Sequence, residues 1–294
     1  MPLAEYVRSH CAEIAGRARL VSIDLDAAAE VSPGPAPDLD PDCHFLEGEA
    51  DEVASYLLTL AAINFGSGWF PLLEKRTVAG RPLSGYFTIA WALTDSFRAR
   101  GPWSADELQA MTSSLVAETL GQRPGLELMA LYAQALRSLG AFLGERSALR
   151  VVEEAGGSAQ RLAASLARGM AMFDDTGFYK RAQIAASDLA LAGIAQFRDL
   201  DELTIFADNL VPHVLRCDGV LIYEDALAAH VDAGRTLPMG AAEREIRACA
   251  VHACELISRR TGVPPRTLDA WLWDRGQAPE YKARPRHRCR TVFY

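Results

Sequence analysis

The amino-acid sequence predicts an all-α protein with at most a few short strands. Apolar residues recur at steps of three and four over most of the chain, as they do on the buried face of an amphipathic helix. Glycine and proline interrupt this pattern at intervals, and no sustained period-two run of β-branched residues indicates a sheet. Half of the 294 residues are hydrophobic, which is enough for a sizeable core. We expect residues 1–294 to form one domain of two packed helical lobes, with the functional site between them.

Composition argues against several classes of protein. The net charge of −8 disfavours a surface that grips nucleic acid, because binding phosphates requires clustered lysine and arginine. Six cysteines lack any CxxC pair, and Cys249, His252 and Cys254 form one local group without a second arm, so we expect free thiols and no metal. The N-terminus resembles no signal sequence, and no apolar run reaches membrane-spanning length. We therefore expect a cytoplasmic monomer with neither a membrane nor a stable nucleic-acid complex as partner.

The N-terminal part of the chain should alternate between helices and turn-forming segments. Residues 1–20 predict a short amphipathic helix, and Val21–Ile23 could form a strand. Residues 33–41 contain four prolines, so this segment should cross the surface without regular structure. It leads to His44 and then to a strong helix over residues 49–63.

Residues 64–71 place two glycines beside three aromatic rings, which permits two interpretations. The segment either ends a helix with an aromatic plug or forms a platform for a flat ligand, and the sequence favours neither. Residues 86–171 then predict a series of helices that stop at residues 101–102, 123–125 and 156–157.

Residues 178–207 contain charged residues beside aromatic ones. Lys180 and Arg181 follow two aromatic residues and open an alanine-rich helix that should end near Phe197. Asp201 is a candidate N-cap for a helix running through residues 204–207.

Asp208 lies among apolar residues that recur too densely for an exposed loop. Its carboxylate should therefore face a core or a cleft, where a charge usually has a partner or a function. Aspartate before an apolar run is also a helix N-cap pattern, and the local sequence alone favours the cap.

The C-terminal part predicts a long helix over residues 237–259 and another around Asp269 and Asp274. These two acids are about 140° apart on an ideal helix, so both can border one cleft only if the helix end faces it. Trp273 between them is typical of core packing. Residues 291–294 are apolar enough that we expect the chain end to be docked on the protein.

Seven short blocks, in order along nearly the whole chain, resemble the queuosine salvage protein family. The blocks are His44-Phe-Leu, Asn64-Phe, residues 178–184, residues 203–208 with Pro212, Glu245-Ile-Arg247, Leu268-Asp269 with Leu272-Trp-Asp274, and residues 286–294. The family's members are queuosine 5′-phosphate N-glycosidases with an all-helical fold similar to that of helical DNA glycosylases. They need no metal or organic cofactor.

The resemblance implies hydrolysis of the N-glycosidic bond of queuosine 5′-monophosphate, which frees queuine for tRNA modification. Asp208 matches the family's catalytic acid. Four residues match positions that line the base pocket: His44, Phe206, Asp269 and Asp274. At position 270, where relatives often have tyrosine, this chain has Ala270. It has Asn209-Leu210 where relatives commonly carry Tyr-Arg, and His213 where they commonly carry Gln.

Physical chemistry accounts for these residue types. Breaking the bond builds positive charge on the ribose. A fixed carboxylate such as Asp208 stabilises that charge, attacks C1′ itself, or activates a water for the attack. A second carboxylate, Asp269 or Asp274, can accept the paired N–H donors of a guanine-like edge. For the 5′-phosphate the sequence suggests Lys180 and Arg181, with His287 and Arg288 in reserve.

Two other classes of function stay open. A nucleic-acid glycosylase on the same architecture would need a basic groove, which the negative net charge disfavours. A non-catalytic carrier of queuine or of a nucleotide would have the same pocket without turnover.

Overall fold

A computed structural model describes residues 1–294 and confirms the predominantly helical fold, with 58% of the residues in helices. The α-helices are α1 (Leu3–Arg17), α2 (Leu25–Glu30), α3 (Ala50–Ile63), α4 (Gly85–Arg100), α5 (Ala105–Gln109), α6 (Ser113–Thr119), α7 (Glu127–Leu143), α8 (Ala148–Glu154), α9 (Ala159–Gly169), α10 (Lys180–Leu191), α11 (Val211–Cys217), α12 (Asp225–Asp232), α13 (Ala241–Thr261), α14 (Pro265–Arg275) and α15 (Pro279–Lys282). Short 3-10 helices lie at Phe70–Leu72, Ala171–Phe173 and Leu200–Glu202.

Four short strands form two antiparallel pairs. The predicted strand is confirmed as β1 (Val21–Ile23), which pairs with β4 (Leu221–Tyr223) so that Val21 lies opposite Tyr223. The second pair, β2 (Thr77–Val78) and β3 (Arg81–Pro82), is a hairpin. Neither sheet has more than two strands, so helix packing forms the architecture.

The predicted helix boundaries follow from local caps. Ser104 opens α5 with a capping box, in which its hydroxyl accepts from the Glu107 amide at 3.2 Å and the Glu107 carboxylate accepts from the Ser104 amide at 2.8 Å. Gly101 ends α4 with φ of 77°, a left-handed conformation that glycine adopts without strain. Helices α8 and α9 are separated at residues 156–157, as predicted.

Two predictions before Asp208 are wrong. Helix α10 ends at Leu191 and not near Phe197, because Gly193 with φ of 72° turns the chain away. Residues 203–207 are not helical, and Asp201 does not cap a helix there. The exposed carboxylate of Asp201 instead pairs with Arg266 at 2.7 Å.

The buried apolar side chains fall into two clusters, one of 48 residues and one of 28. The first is built mainly around α3, α7, α9 and α10, and the second around α11, α13 and α14. No helix is long and apolar enough to cross a membrane.

The C-terminus is docked on the loop that follows α3, as predicted. The Tyr294 carbonyl accepts a hydrogen bond from the Gly66 amide at 3.0 Å, and the Tyr294 side chain is buried. Two residues on, Gly68 lies so close to the tail that a β-carbon there would be 2.5 Å from the Cys289 carbonyl oxygen. A glycine is therefore required where the chain end crosses this loop.

Candidate active site

A cavity of about 350 Å³ joins segments from most of the chain. Its walls come from residues 36–44, 64–70 and 84–87, from one face each of α10 and α14, and from residues 206–210 and 282–294. The end of the proline-rich segment and the following His44 therefore lie in the cavity wall. Asn64 lies at the C-cap of α3, in agreement with the first interpretation of residues 64–71, while Phe65 and Phe70 line the cavity.

Asp208 lines the cavity and also serves the start of α11. Its Oδ1 accepts hydrogen bonds from the amides of Leu210 at 2.6 Å and Val211 at 3.1 Å, where a helix has unpaired N–H groups. The other carboxylate oxygen, Oδ2, has no hydrogen-bond partner in the protein. The cap and the functional interpretation are thus compatible, because they use different oxygens of one carboxylate.

Asp269 ties α14 to the strand-like segment before Asp208. Its Oδ1 accepts from the Phe206 amide at 2.8 Å, which fixes the Phe206 ring in the cavity wall. Burial, together with the negative charge of Asp208, raises the pKa of Asp269 to about 8. In the empty cavity this carboxyl group is therefore mostly protonated at neutral pH.

Helix α10 presents Lys180 and Asp188 to the cavity from the same face. The Lys180 ammonium donates to the Asn64 carbonyl at 3.2 Å and lies near enough to Asp208 and Asp269 for both to raise its pKa. Burial outweighs them and lowers the pKa of Lys180 to about 8. Burial likewise raises the pKa of Asp188 to about 7, and the Asp188 carboxylate has no hydrogen-bond partner in the protein.

His44 holds a tyrosine hydroxyl at the cavity. Its Nδ1 lies 2.8 Å from the Asp40 carbonyl, which can only accept, so Nδ1 carries the proton and Nε2 accepts from the Tyr86 hydroxyl at 2.9 Å. Burial lowers the pKa of His44, which keeps the ring neutral. Both ring nitrogens are occupied, so the free hydrogen-bonding capacity at this point belongs to Tyr86.

Arg247 hydrogen-bonds the backbone of the residue before Asp208. Its Nε donates to the Ala207 carbonyl at 2.8 Å, while its guanidinium pairs with Asp175 and, at 3.2 Å, with Glu243. All three charged side chains are buried. This ion-paired group fixes the segment that carries the carboxylate, without lining the cavity itself.

The remaining predicted residues on α14 also reach the cavity. Asp269 and Asp274 both line it, although Asp274 is exposed while Asp269 is buried. Ala270 lies in the wall and supplies no ring. Trp273, predicted to be a core residue, lines the cavity instead, and its ring contacts that of Tyr86 with centroids 5.5 Å apart.

Three basic residues suggested for phosphate binding lie outside the cavity. Arg181 donates to the carbonyls of Ala61, Ala62 and Met172, because its guanidinium closes the C-terminal end of α3. His287 is fully buried, and burial lowers its pKa to about 3. The third, Arg288, donates to a backbone carbonyl at 2.8 Å.

Sequence reasoning missed Asp188, Tyr86 and Arg286 as cavity residues. Asp188 was detectable in principle, because it lies two helical turns after Lys180 and so on the same face of α10. Nothing local distinguishes Tyr86 from a core aromatic. Arg286 lies in an arginine-rich segment, and its place in the cavity wall depends on contacts distant in sequence. No group of three or more His, Cys, Asp or Glu side chains is arranged to hold a metal ion.

Comparison with known proteins agrees with the resemblance carried by the seven blocks. A family model described as queuosine salvage protein matches residues 43–294. A Sphaerobacter thermophilus protein named queuosine 5′-phosphate N-glycosylase/hydrolase is 33% identical, over 95% of this chain and 94% of its own length. A Mus musculus protein with the same name is 28% identical over 83% of each chain. The family model covers most of the sequence, including every cavity-lining residue from His44 onward. The chain therefore belongs to the queuosine salvage protein family.

Proposed function

We propose that this protein hydrolyses the N-glycosidic bond of queuosine 5′-phosphate and releases the base queuine. The observation that carries the proposal is Asp208, a carboxylate anchored by one oxygen to a helix start in a cavity shared with Phe206 and Asp269. A cavity of about 350 Å³ is within the usual range for a small-molecule site. Membership of the family, whose named relatives carry this activity, supports the same reaction.

Asp208 acts on the ribose. As the C1′–N bond breaks, its electrons pass to the base and the ribose becomes positively charged. The fixed carboxylate stabilises that charge, and its preorganised position avoids the cost of reorienting during the reaction. A water then supplies the hydroxyl at C1′ and the base takes up a proton, so one water is consumed for each bond broken.

Asp269 and Phe206 recognise the base. Queuine is a 7-deazaguanine and offers adjacent N–H donors on one edge, which a carboxylate accepts in pairs. Asp269 is mostly protonated in the empty cavity, so the arriving donors shift it toward the ionised form and a proton is released. The Phe206 ring provides a face against which the base can stack.

Asp188 and Asp274 suit the cationic aminomethyl arm of queuine. Both carboxylates line the cavity, and Asp188 has no partner within the protein. A desolvated acid of this kind gains a partner when an ammonium binds, which favours a substrate with the arm over plain guanine nucleotides. The Tyr86 hydroxyl, held by His44, is available to the diol of the same side arm.

Incubation with queuosine 5′-phosphate, followed by mass spectrometry, tests the proposal. Free queuine and ribose 5-phosphate should accumulate together as the nucleotide disappears. The persistence of intact nucleotide at every enzyme concentration would refute hydrolysis. A mobility-shift assay with duplex DNA is the matched test for a nucleic-acid glycosylase, and we expect no shift because of the net charge of −8.

We further propose that the two core clusters correspond to two packed lobes with the active site between them. Support comes from the cavity walls, since Phe206 belongs to the larger cluster and the neighbouring Leu210 to the smaller. We also propose that the reaction needs no cofactor, because it requires only water and fixed charges. The protein is further proposed to work as a monomer in the cytoplasm. Light scattering should give a mass near 32.0 kDa.

A further inference from the structure

Three cations converge where the C-terminal tail meets the cavity. Lys282 and Arg286 line it directly. Lys75 lies with its ammonium 5.8 Å from the centroid of the Phe70 ring, and Phe70 is itself a lining residue. Lys282 and Arg286 belong to the tail, Lys75 lies about 200 residues earlier in the sequence, and the docking of the tail brings the two parts of the chain together.

None of these three cations forms an ion pair or donates a side-chain hydrogen bond in the protein. Every ion pair in the structure has an arginine as its cation, and Arg286 is in none of them. The lysine ammonium groups of Lys75 and Lys282 also donate no hydrogen bond, whereas Lys180 deeper in the cavity is bonded to Asn64. Two unpaired cations in the cavity wall, with a third beside the lining residue Phe70, are free to receive an anion.

The charge of Arg286 also lies close enough to each of the two lysines to repel it. Burial and then the charge of Arg286 lower the pKa of Lys75 to about 8, and the same two causes lower the pKa of Lys282. For Arg286, burial lowers the pKa while the carboxylate of Asp208 opposes it. Such an arrangement is unfavourable in the empty protein and becomes favourable when an anion lies among the cations.

We propose that Lys75, Lys282 and Arg286 form the binding site for the 5′-phosphate of the substrate. This inference rests on the proposed function, because that function supplies the phosphate. It replaces the earlier assignment to Lys180 and Arg181, of which the first lies among the acids and the second lies outside the cavity. A phosphate monoester carries nearly two negative charges at neutral pH, which suits one planar guanidinium and two ammonium groups.

The position of Arg286 fits the order of groups in a nucleotide. Arg286 and Asp208 both line the cavity, and the Asp208 carboxylate is close enough to raise the pKa of Arg286 against the effect of burial. With Asp208 at C1′ of the ribose, a neighbouring cation reaches the 5′ end of the same sugar. The base is then assigned to Asp269 and the side arm to Asp188, neither of which has Lys75, Lys282 or Arg286 among the charges that act on it.

The test compares a nucleotide with its nucleoside in the intact protein. The double variant Lys75→Ala/Lys282→Ala leaves Arg286 and Asp208 in place, so effects on the chemistry are kept apart from effects on phosphate binding. Arg284→Ala is the matched control, because Arg284 is an exposed arginine of the same tail that does not line the cavity. The measurements are kcat/KM for queuosine 5′-phosphate and for queuosine, and the Kd of ribose 5-phosphate by calorimetry.

We expect the double variant to lose at least about tenfold in kcat/KM for the nucleotide and in affinity for ribose 5-phosphate, since charge-assisted hydrogen bonds to phosphate are lost. Its kcat/KM for queuosine should be unchanged, and Arg284→Ala should match the wild type throughout. Equal losses for nucleotide and nucleoside, or unchanged ribose 5-phosphate affinity, would overturn the assignment. If the wild type cleaved neither substrate while the double variant still lost ribose 5-phosphate binding, the hydrolase proposal would fail and the anion site would stand.

Discussion

Replacing Asp208 separates its two roles, because the helix start uses one carboxylate oxygen and the reaction uses the negative charge. Asp208→Asn keeps an Oδ1 that can accept from the amides of Leu210 and Val211. It removes only the charge. Asp208→Ala removes both the charge and the acceptor.

The expected magnitudes differ for stability and for rate. Loss of a cap acceptor costs about 0.5–2 kcal/mol, so Asp208→Ala should be destabilised by that amount while Asp208→Asn stays close to the wild type. Two opposite unit charges about 4 Å apart interact by roughly 4 kcal/mol at an effective dielectric constant of 20. Loss of that stabilisation in the transition state slows the reaction about a thousandfold, and both variants should show it.

Urea denaturation measures the first effect, and single-turnover cleavage of queuosine 5′-phosphate measures the second. Asp208→Asn should still bind queuine in a calorimetric titration, and this binding serves as the control that its pocket is intact. Wild-type turnover by Asp208→Asn would refute the catalytic role of the charge. Equal stability of the asparagine and alanine variants would refute the capping role.

Three further predictions concern the rest of the site. Because the pKa of Asp269 is about 8 in the empty cavity and base binding favours its ionised form, queuine affinity measured by calorimetry should rise with pH up to about 8, and Asp269→Asn should reduce that slope; a flat wild-type profile would contradict the reasoning. Asp188→Asn should raise KM for queuosine 5′-phosphate about tenfold. Steady-state assays with 7-deazaguanosine 5′-phosphate, which lacks the cationic arm, should show no such effect, and an equal rise would exclude Asp188 from recognising the arm. Arg247→Leu should lower the free energy of unfolding, measured by urea denaturation, by about 3–5 kcal/mol, because Asp175 and Glu243 would stay buried without their cation. A smaller loss would mean that water reaches the two carboxylates.

Much of the fold was predictable because its signals are local. The capping box at Ser104, the glycine stop after α4 and the spacing of apolar residues each depend on a few neighbouring residues. The two wrong predictions for residues 191–207 also rest on local patterns. Asp201 has the sequence pattern of a cap, but its pairing with Arg266 is a tertiary contact that no local pattern contains.

The site was predictable where a family motif or a charge in an apolar run marked it. Asp208, Phe206 and Asp269 line the cavity, and the hydrogen bonds that the two carboxylates accept explain why aspartate occurs at positions 208 and 269. Arg286 and Lys75 are separated by most of the chain, and their proximity depends on the docking of the C-terminal tail. Contacts of this kind arise from the folded core and leave no periodicity in the sequence.

The most direct measurement of the central claim is a time course of product per protein chain. With excess queuosine 5′-phosphate, the account predicts that queuine and ribose 5-phosphate form in equal amounts, well beyond one equivalent per chain, before and after dialysis against EDTA. A carrier would bind at most one equivalent of ligand and release it intact. Recovery of unbroken nucleotide after long incubation would contradict the account.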